Sequence, residues 1–245
     1  MVKTDRWIRA QCSHKPEYKL MRGDQCLGYL AKPYSSIEQC HIRDLLDEIN
    51  GVRHRRIAID AVYAEAVSKD EFSPMITPFI DGNIREVDGT KVISYGLSSM
   101  GYDVRLAKGL KVFTDVHSVV IDPKGLDPKS FVDMDDDVVV IPPNGFALGH
   151  TVETFNIPRD VVLVCLGKST YARAGVNINI TPIEPGFKGQ VVIEIANLTN
   201  SPVKIYTGEG ISQFLFYQSD ENCQTSYADK NGKYQNQKGI QLPLV

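Results

Sequence analysis

The sequence predicts a mainly β protein, a Greek-key or jelly-roll barrel with a small α-helical insertion near its N-terminus. Two observations lead to this fold class. From residue 91 onward, apolar residues alternate with polar ones or form short β-branched runs, and prolines, glycines and asparagines separate the runs as turns. No helical stretch between these runs is long enough for the crossover of a parallel sheet, which excludes a doubly wound α/β fold.

The N-terminal segment, residues 1–74, differs from the rest because its apolar residues recur at helical spacing. One helix is predicted over 37–49 and ends before Gly51, and a second helix is predicted over 56–66. We therefore expect a helical insertion over about 14–72.

The main domain is predicted over 75–225 and contains ten short strands. Each strand is an apolar run that alternates at period two or is rich in β-branched residues. The predicted strands are 91–95, 102–106, 118–122, 137–141, 146–153, 161–166, 176–181, 190–197, 203–207 and 211–217. The last residues, 226–245, are polar and rich in glycine, glutamine, asparagine and lysine, so we expect a mobile tail unless a ligand orders it.

The overall composition limits the classes of partner. A net charge of −3 over 245 residues gives no basic excess for binding a nucleic-acid backbone, although a few local cations could still hold a small anion. The sequence has no run of about 18 apolar residues and no apolar signal-peptide core at its start, so we expect a cytoplasmic protein without a membrane segment. Five scattered cysteines, an odd number, indicate reduced thiols.

A loop over residues 167–175 is well suited to bind phosphate. It follows an apolar strand and combines two cations and two hydroxyl groups between two glycines. Its Gly-Lys-Ser start suggests a P-loop, but that motif requires another glycine five residues before Gly167, where the sequence has Val162. A solvated turn of the same composition is the alternative.

Glu194 is the candidate for proton transfer. It lies in the predicted strand 190–197, whose two faces are both largely apolar, so its carboxyl group is expected among apolar side chains. Such a carboxyl group should have a raised pKa, or pair with a cation such as Arg173, or both. A buried ion pair with a purely architectural role is the alternative.

Two further segments could contact a nucleotide-like ligand. Polar side chains of residues 177–181 could hydrogen-bond a base or a sugar, and the turn at 184–187 contains Gly186 for an unusual backbone angle. Lysines and glutamines between the glycines of 232–239 could fold over a polyanion and exclude water. A hairpin with a polar tip and a disordered terminus are the respective alternatives.

The order of these features resembles the dCTP deaminase family, a branch of the dUTPase-like trimeric β proteins. The resemblance runs from Met75 to Leu242, with a short extra match at 4–10. Four segments carry it, which are similar to the family's opening signature, phosphate loop, catalytic strand and closing tail: 94–105, 167–175, 190–197 and 232–239. It implies a dUTPase-like jelly-roll or β-barrel fold and a homotrimer with its sites between subunits.

The resemblance also implies a reaction and its residues. The reaction is hydrolytic deamination of dCTP to dUTP and ammonia, a step toward dTTP, without zinc and with Mg²⁺ on the substrate phosphates. Glu194 would deprotonate the attacking water and pass protons to the ring and the leaving ammonia, while Ser169 and Arg173 would hold the water and the cytosine. The residues implied to bind substrate are Lys168, Ser169, Thr170, Arg173, Thr181, Glu184, Tyr227, Lys233 and Gln237.

Zinc is not expected in this chain. Zinc-dependent deaminases carry a His or Cys followed by Glu and a Pro-Cys-x-x-Cys pair, and no Cys-x-x-Cys occurs here. The N-terminal side chains that could in principle bind a metal match no zinc spacing: Cys12, His14, Cys26, Cys40 and His41.

Three features depart from the family's common pattern, and one of them is the compact Thr181-Pro182 turn. Lys168 stands where many relatives have Arg, which keeps the charge but loses bidentate geometry. Glu184 stands where Asp is usual, and dUTPases and bifunctional deaminases use that Asp on the sugar or the hydrolytic water.

Other interpretations stay open. One is a bifunctional enzyme that continues to dUMP and diphosphate, and another is a non-catalytic jelly-roll trimer that binds nucleotide or docks a partner through 14–72. Assembly into a hexamer and inhibition by dTTP also stay open.

Overall fold

The computed structural model describes residues 1–12, 73–114, 116 and 120–244, together with the backbone of three strands at 18–22, 25–30 and 62–66. The chain forms two compact units. The first contains Met1–Asp5 and Met75–Val245, and the second contains Arg6–Pro74.

The second unit contains most of helix α1 (Asp5–Cys12) and a three-stranded antiparallel sheet. The strands β1 (Tyr18–Arg22), β2 (Gln25–Leu30) and β3 (Val62–Ala66) have the order β2-β1-β3. The helix predicted over 56–66 is therefore wrong for residues 62–66. Valine and tyrosine at the start of β3 favour extended backbone, and pairing with β1 along all five residues satisfies its hydrogen bonds. The helix predicted over 37–49 lies outside the described residues.

In its described residues, the first unit consists mainly of short strands, with one short α-helix and a 3-10 helix at Pro128–Ser130. Their bounds are β4 (Ile76–Thr77), β5 (Asn83–Val87), β6 (Thr90–Ser98), β7 (Gly101–Arg105), β8 (Leu110–Phe113), β9 (Phe131–Met134), β10 (Val138–Ile141), β11 (Phe146–Asn156), β12 (Val161–Gly167), α2 (Ser169–Arg173), β13 (Val176–Asn179), β14 (Lys188–Asn197), β15 (Val203–Tyr206) and β16 (Gly210–Gln218). The predicted mainly β architecture is confirmed.

Two antiparallel sheets make up most of this unit. One has the order β13-β14-β11-β8-β9, with β4 also paired to β11, and the other has the order β12-β16-β7-β6-β5. A separate two-stranded sheet joins β10 to β15. None of the helices in the described part of the chain has the length and apolar character that a membrane crossing requires.

The core lies between the two larger sheets. Phe155 of β11 and Phe214 of β16 are fully buried, and their ring centroids are 5.1 Å apart. Along β14, alternate residues from Gly189 to Asn197 are buried, so this strand turns one face to the core and the other away from it. That second face carries Glu194.

One of the predicted strands is wrong, and four strands of this unit are not predicted from the sequence: β4, β5, β8 and β9. Nine of the ten predicted runs match strands to within three residues at each end. The run predicted over 118–122 is wrong for residues 120–122, which form no strand and include the exposed Ile121, while residues 118 and 119 lie outside the described residues. A β-branched residue suits a strand, but without a pairing partner it has no reason to be extended.

Candidate functional site

A cavity of about 570 Å³ lies against the outer face of β14. Much of its wall is apolar and includes Leu126, Phe146, Leu148, Phe187 and Val192. Five of the site residues predicted from the sequence also line it: Thr181, Glu184, Glu194, Tyr227 and Gln237. A mainly apolar cavity with a few polar groups on its wall is typical of small-molecule sites.

Glu194 lies on β14, which pairs with β11 on one side and β13 on the other. In the register of the sheet it lies opposite Leu148 of β11 on one side and Asn179 of β13 on the other. The Asn179 amide Nδ2 donates a hydrogen bond to Glu194 Oε2 at 3.5 Å. Burial raises the pKa of the Glu194 carboxyl to about 7. A carboxyl group that titrates there can accept a proton from water and return it during one reaction cycle.

The alternative pairing of Glu194 with Arg173 is not observed. Among the residues that the structure describes, Glu194 forms no ion pair, and Arg173 is exposed at the end of α2. The raised pKa of Glu194 therefore follows from the apolar wall of the cavity.

The predicted phosphate loop is a short helix rather than an irregular loop. Ser169, Thr170 and Arg173 belong to α2 and are exposed, and they are not among the described residues that line the cavity. Within one chain, five of the predicted site residues therefore line the cavity. Ser169, Thr170 and Arg173 lie on a separate surface.

Lys168 immediately precedes α2 and is held inside the protein. Its Nζ lies 2.7 Å from Asp103 Oδ2, and the two side chains are only 10% and 6% exposed. Nζ also donates to Ser94 Oγ at 3.2 Å. The sequence offers no local signal for this contact, because Asp103 is 65 positions away along the chain.

The turn before β14 connects the cavity to the C-terminal tail. Gly186 has a φ of +81°, as the turn chemistry predicts, and a Cβ at this position would lie 2.7 Å from Ser226 Cβ. Glu184 lies at the cavity wall and forms an ion pair with Lys230 of the tail. Its carboxylate is therefore already engaged by a cation of the same chain.

Hydrogen bonds within the chain hold the C-terminal tail against the start of β14. Gln237 is buried, its Nε2 donates to the Gln190 carbonyl at 3.0 Å, and its own carbonyl accepts from the Gln190 amide at 2.9 Å. The Gln190 side chain in turn accepts from the Gly239 amide at 2.7 Å. Tyr227 packs edge-on against Phe187, with ring centroids 5.7 Å apart. Lys233 is exposed and donates to the Leu244 carbonyl.

Some residues of the cavity are not predicted by the sequence. The segment with Ile121, Pro123 and Leu126 forms one wall, and Tyr234 and Pro243 of the tail contribute to another. Proline and leucine in a loop carry no pattern that indicates a ligand, so only the fold reveals their place.

No group of three or more His, Cys, Asp or Glu side chains comes together as a metal site within the described ranges. Of the N-terminal metal candidates, Cys12 is buried in α1. The side chains of His14, Cys26, Cys40 and His41 lie outside the described residues.

Comparison with known proteins gives consistent results. A family described as dCTP deaminase-like matches residues 65–219. The dCTP deaminase of Pseudomonas paraeruginosa is 59% identical over 169 residues, which cover 69% of this chain and 90% of that protein. The dCTP deaminase of Acidovorax sp. is 60% identical with the same coverage, and that of Acinetobacter baumannii is 56% identical over 170 residues.

Solved structures show a weaker similarity to this chain. The 2′-deoxycytidine 5′-triphosphate deaminase from Agrobacterium tumefaciens has a TM-score of 0.42 at 18% identity, covering 50% of this chain and 40% of that one. The native dUTPase of EIAV has a TM-score of 0.33 at 21% identity, covering 47% and 93%. The sequence match decides the family: it spans most of the chain, and the chain belongs to the dCTP deaminase-like family.

Proposed function

We propose that this chain hydrolyses the 4-amino group of dCTP and releases dUTP and ammonia, as a step in pyrimidine deoxynucleotide synthesis. The observation that carries the proposal is Glu194, a carboxyl group with a pKa of about 7 on the wall of an apolar cavity. Support also comes from relatives named dCTP deaminase that are 56–60% identical over about nine-tenths of their length.

The chemistry requires one group that takes a proton and later gives it back. Glu194 removes a proton from water, and the resulting hydroxide adds to C4 of the cytosine. The protonated carboxyl group first gives this proton to the ring nitrogen N3. It then takes the proton of the new C4 hydroxyl group and passes it to the amino group, so that the C4–N bond breaks and ammonia leaves as the C4 carbonyl forms. A carboxyl group with a pKa near the working pH serves both steps, because neither protonation state is costly.

The site is proposed to be completed by a second copy of the chain. Ser169 and Arg173, expected to hold the water and the cytosine, lie away from the cavity of their own chain. A homotrimer with sites at its subunit contacts would bring α2 of one subunit to the cavity of the next.

Mixed trimers test this arrangement. Glu194→Gln and Arg173→Ala subunits are each expected to be inactive alone, but a mixture exchanged under mild denaturation should regain activity at sites that combine the two intact residues. Activity can return only if Glu194 and Arg173 of one site come from different subunits. No regain, with mixed trimers verified by mass, contradicts sites shared between subunits.

The substrate enters as its Mg²⁺ complex. Triphosphates in cells carry this ion, and Thr170 and Lys233 offer an exposed hydroxyl group and an exposed ammonium for the phosphates. Inhibition by dTTP and a cytoplasmic location belong to the same proposal.

Glu184 favours an enzyme that stops at dUTP. In a bifunctional enzyme the carboxylate at this position must act on the sugar or the hydrolytic water, whereas here it is paired with Lys230. The deaminase without diphosphate release is therefore the function that the geometry supports best.

Product analysis of the purified protein with dCTP and Mg²⁺ tests the proposal. We expect equimolar dUTP and ammonia and no diphosphate. Accumulation of dUMP with diphosphate would identify the bifunctional enzyme instead. Binding of dCTP without any product would identify a nucleotide-binding protein.

A further inference from the structure

Helix α2 (Ser169–Arg173) has only five residues, so it needs support from the rest of the protein. Helices shorter than about 12 residues are marginal in water by themselves. Lys168, at the N-terminal cap position, forms no side-chain capping hydrogen bond with the residues that the structure describes. The position of α2 therefore depends on the side chain that the helix buries.

Tyr171 is that side chain. It is 3% exposed and is the one buried residue of α2, a helix that the structure describes in full. Ser169 and Arg173, two positions before and after it, are exposed. Residues two positions apart on a helix point in different directions. Tyr171 can therefore be fixed inside the protein while Ser169 and Arg173 face outward.

The Tyr171 hydroxyl group connects α2 to strand β15. Its oxygen accepts a hydrogen bond from the Tyr206 backbone amide at 3.0 Å, and Tyr206 is the last residue of β15. Strand β15 pairs with β10 from Val203 to Tyr206. The hydrogen-bond donor is therefore held in a sheet, 35 positions away from Tyr171 along the chain.

The Tyr171 hydroxyl group does not act in proton transfer. Burial raises the pKa of Tyr171 to about 12, so this group stays protonated over the pH range in which Glu194, with a pKa of about 7, titrates. Any effect of Tyr171 on the reaction must therefore come from the position of α2.

We propose that Tyr171 is a positioning residue, whose hydroxyl group fixes α2 to β15 and so sets the places of Ser169 and Arg173. This inference rests on the proposed function, in which Ser169 and Arg173 hold the water and the cytosine. Small displacements of groups that orient the reactants are costly to the rate. The hydrogen bond between Tyr171 and Tyr206 therefore contributes to turnover without touching the substrate.

Tyr171→Phe tests this role, because it removes the hydroxyl group and keeps the buried ring. We expect kcat at saturating dCTP to fall at least about fivefold. Tyr217→Phe is the matched control. Tyr217 lies opposite Val162 near the start of β12, whereas α2 follows the other end of that strand. Its substitution should leave kcat unchanged.

Hydrogen exchange shows whether the loss comes from α2. Peptides that cover residues 169–175 should exchange faster in Tyr171→Phe than in the unaltered protein, measured by mass spectrometry. Peptides from β11 and β14 should exchange at the same rate in both, because the core between the large sheets is unchanged. Faster exchange throughout the barrel would mean general destabilisation and overturn the inference.

Mixed trimers give a readout that general destabilisation does not produce. In the proposed arrangement, a Tyr171→Phe subunit has an intact Glu194 and a displaced α2, which serves the next subunit. Exchange with Glu194→Gln subunits should therefore raise activity above that of Tyr171→Phe alone, as it does for Arg173→Ala. If Tyr171 acted on the cavity of its own subunit, the Glu194→Gln subunits would only dilute the activity.

The Tyr171→Phe and Arg173→Ala mixtures must behave alike, and a regain of activity in only one of them overturns the inference. Unchanged kcat or unchanged exchange at 169–175 in Tyr171→Phe also overturns it. If the unaltered protein releases no ammonia from dCTP, the proposed function fails. The exchange experiment then still decides whether Tyr171 fixes α2.

Discussion

Asn179 and Glu194 lie directly opposite each other on the antiparallel strands β13 and β14, with Asn179 Nδ2 3.5 Å from Glu194 Oε2. The amide is a donor, so it stabilises the ionised carboxylate against the burial that raises its pKa. Burial against the apolar wall raises the pKa of Glu194, and a hydrogen bond from its own backbone amide lowers it. The Asn179 amide is placed to act in the same direction as that backbone hydrogen bond.

Asn179→Ala should move the pH profile of the enzyme upward. Without the amide donor the carboxylate is less stable, so the pKa of Glu194 rises further and less of the base form exists at neutral pH. We expect the rising limb of kcat/KM for dCTP, measured from pH 5.5 to 9, to shift upward by about 0.5 pH unit. Activity at pH 6.5 should fall more than activity at pH 8.5.

Asn177→Ala is the matched control for this experiment. Asn177 is the same residue type on the same face of β13, but it lies opposite Ala196 rather than Glu194. Its substitution should leave the midpoint of the profile in place. Equal shifts in both variants would mean that β13 as a whole, rather than the Asn179 amide, sets the pKa of Glu194.

Glu194→Gln should abolish deamination and leave nucleotide binding nearly intact. The amide is isosteric with the carboxyl group but cannot take a proton from water, so we expect a loss of about 10³-fold or more in kcat. The Kd of dCTP, measured by calorimetry, should change only a few-fold. Parallel loss of turnover and binding would show that Glu194 is architectural.

The same substitution should change how stability depends on pH. The pKa of Glu194 is about 7 in the folded protein, whereas the ordinary value of 4.5 applies to the unfolded chain. Between these two pH values the folded protein holds a proton that the unfolded chain lacks. The free energy of unfolding therefore falls as the pH rises from about 4.5 to 7. Above that range the contribution of Glu194 no longer changes with pH. Urea unfolding should show the unaltered protein losing stability relative to Glu194→Gln from pH 5 to 7, with a constant difference from pH 7.5 to 9. A difference that does not vary with pH would contradict the raised pKa.

The β body can be predicted from the sequence because alternation along a strand is a local signal. Strand β14 shows this clearly, since its alternate residues are buried in the order that its sequence indicates. The N-terminal insertion is harder to predict, because residues 62–66 combine Val and Tyr, which favour a strand, with Ala and Glu, which favour a helix, and pairing with β1 decides the outcome. Ile121 shows the opposite case, because it is β-branched but lies in no strand.

The candidate site is predictable where one residue carries the signal by itself. A glutamate in a strand that is apolar on both faces is unusual, and this pattern alone indicates Glu194. The contacts that tune the site depend on long-range pairing and leave no local pattern. The sequence places Lys168 in a phosphate loop, and only the fold brings Asp103 beside it.

Removal of the tail before Ser226 should weaken binding of the triphosphate. The tail contributes Tyr227, Tyr234 and Gln237 to the wall of the cavity, so its loss opens the site to water. We expect the Kd of dCTP to rise about tenfold or more, measured by calorimetry on the Glu194→Gln background to prevent turnover. Unchanged affinity would contradict the role of the tail as a lid.

Gly189→Ala should reproduce much of that loss with a single methyl group. Gly189 has a φ of +142°, and a Cβ there would lie 2.7 Å from the Gln237 amide nitrogen and 2.8 Å from its carbonyl oxygen, so the tail must move away. Gly82→Ala is the matched control, because Gly82 has a φ of +151° and a Cβ added there would meet nothing within 4 Å. Both variants carry similar backbone strain, but only Gly189→Ala displaces the tail and should raise the Kd of dCTP several-fold. An equal rise of the Kd in both variants would mean that strain in the barrel causes the effect, rather than displacement of Gln237 from its place beside β14.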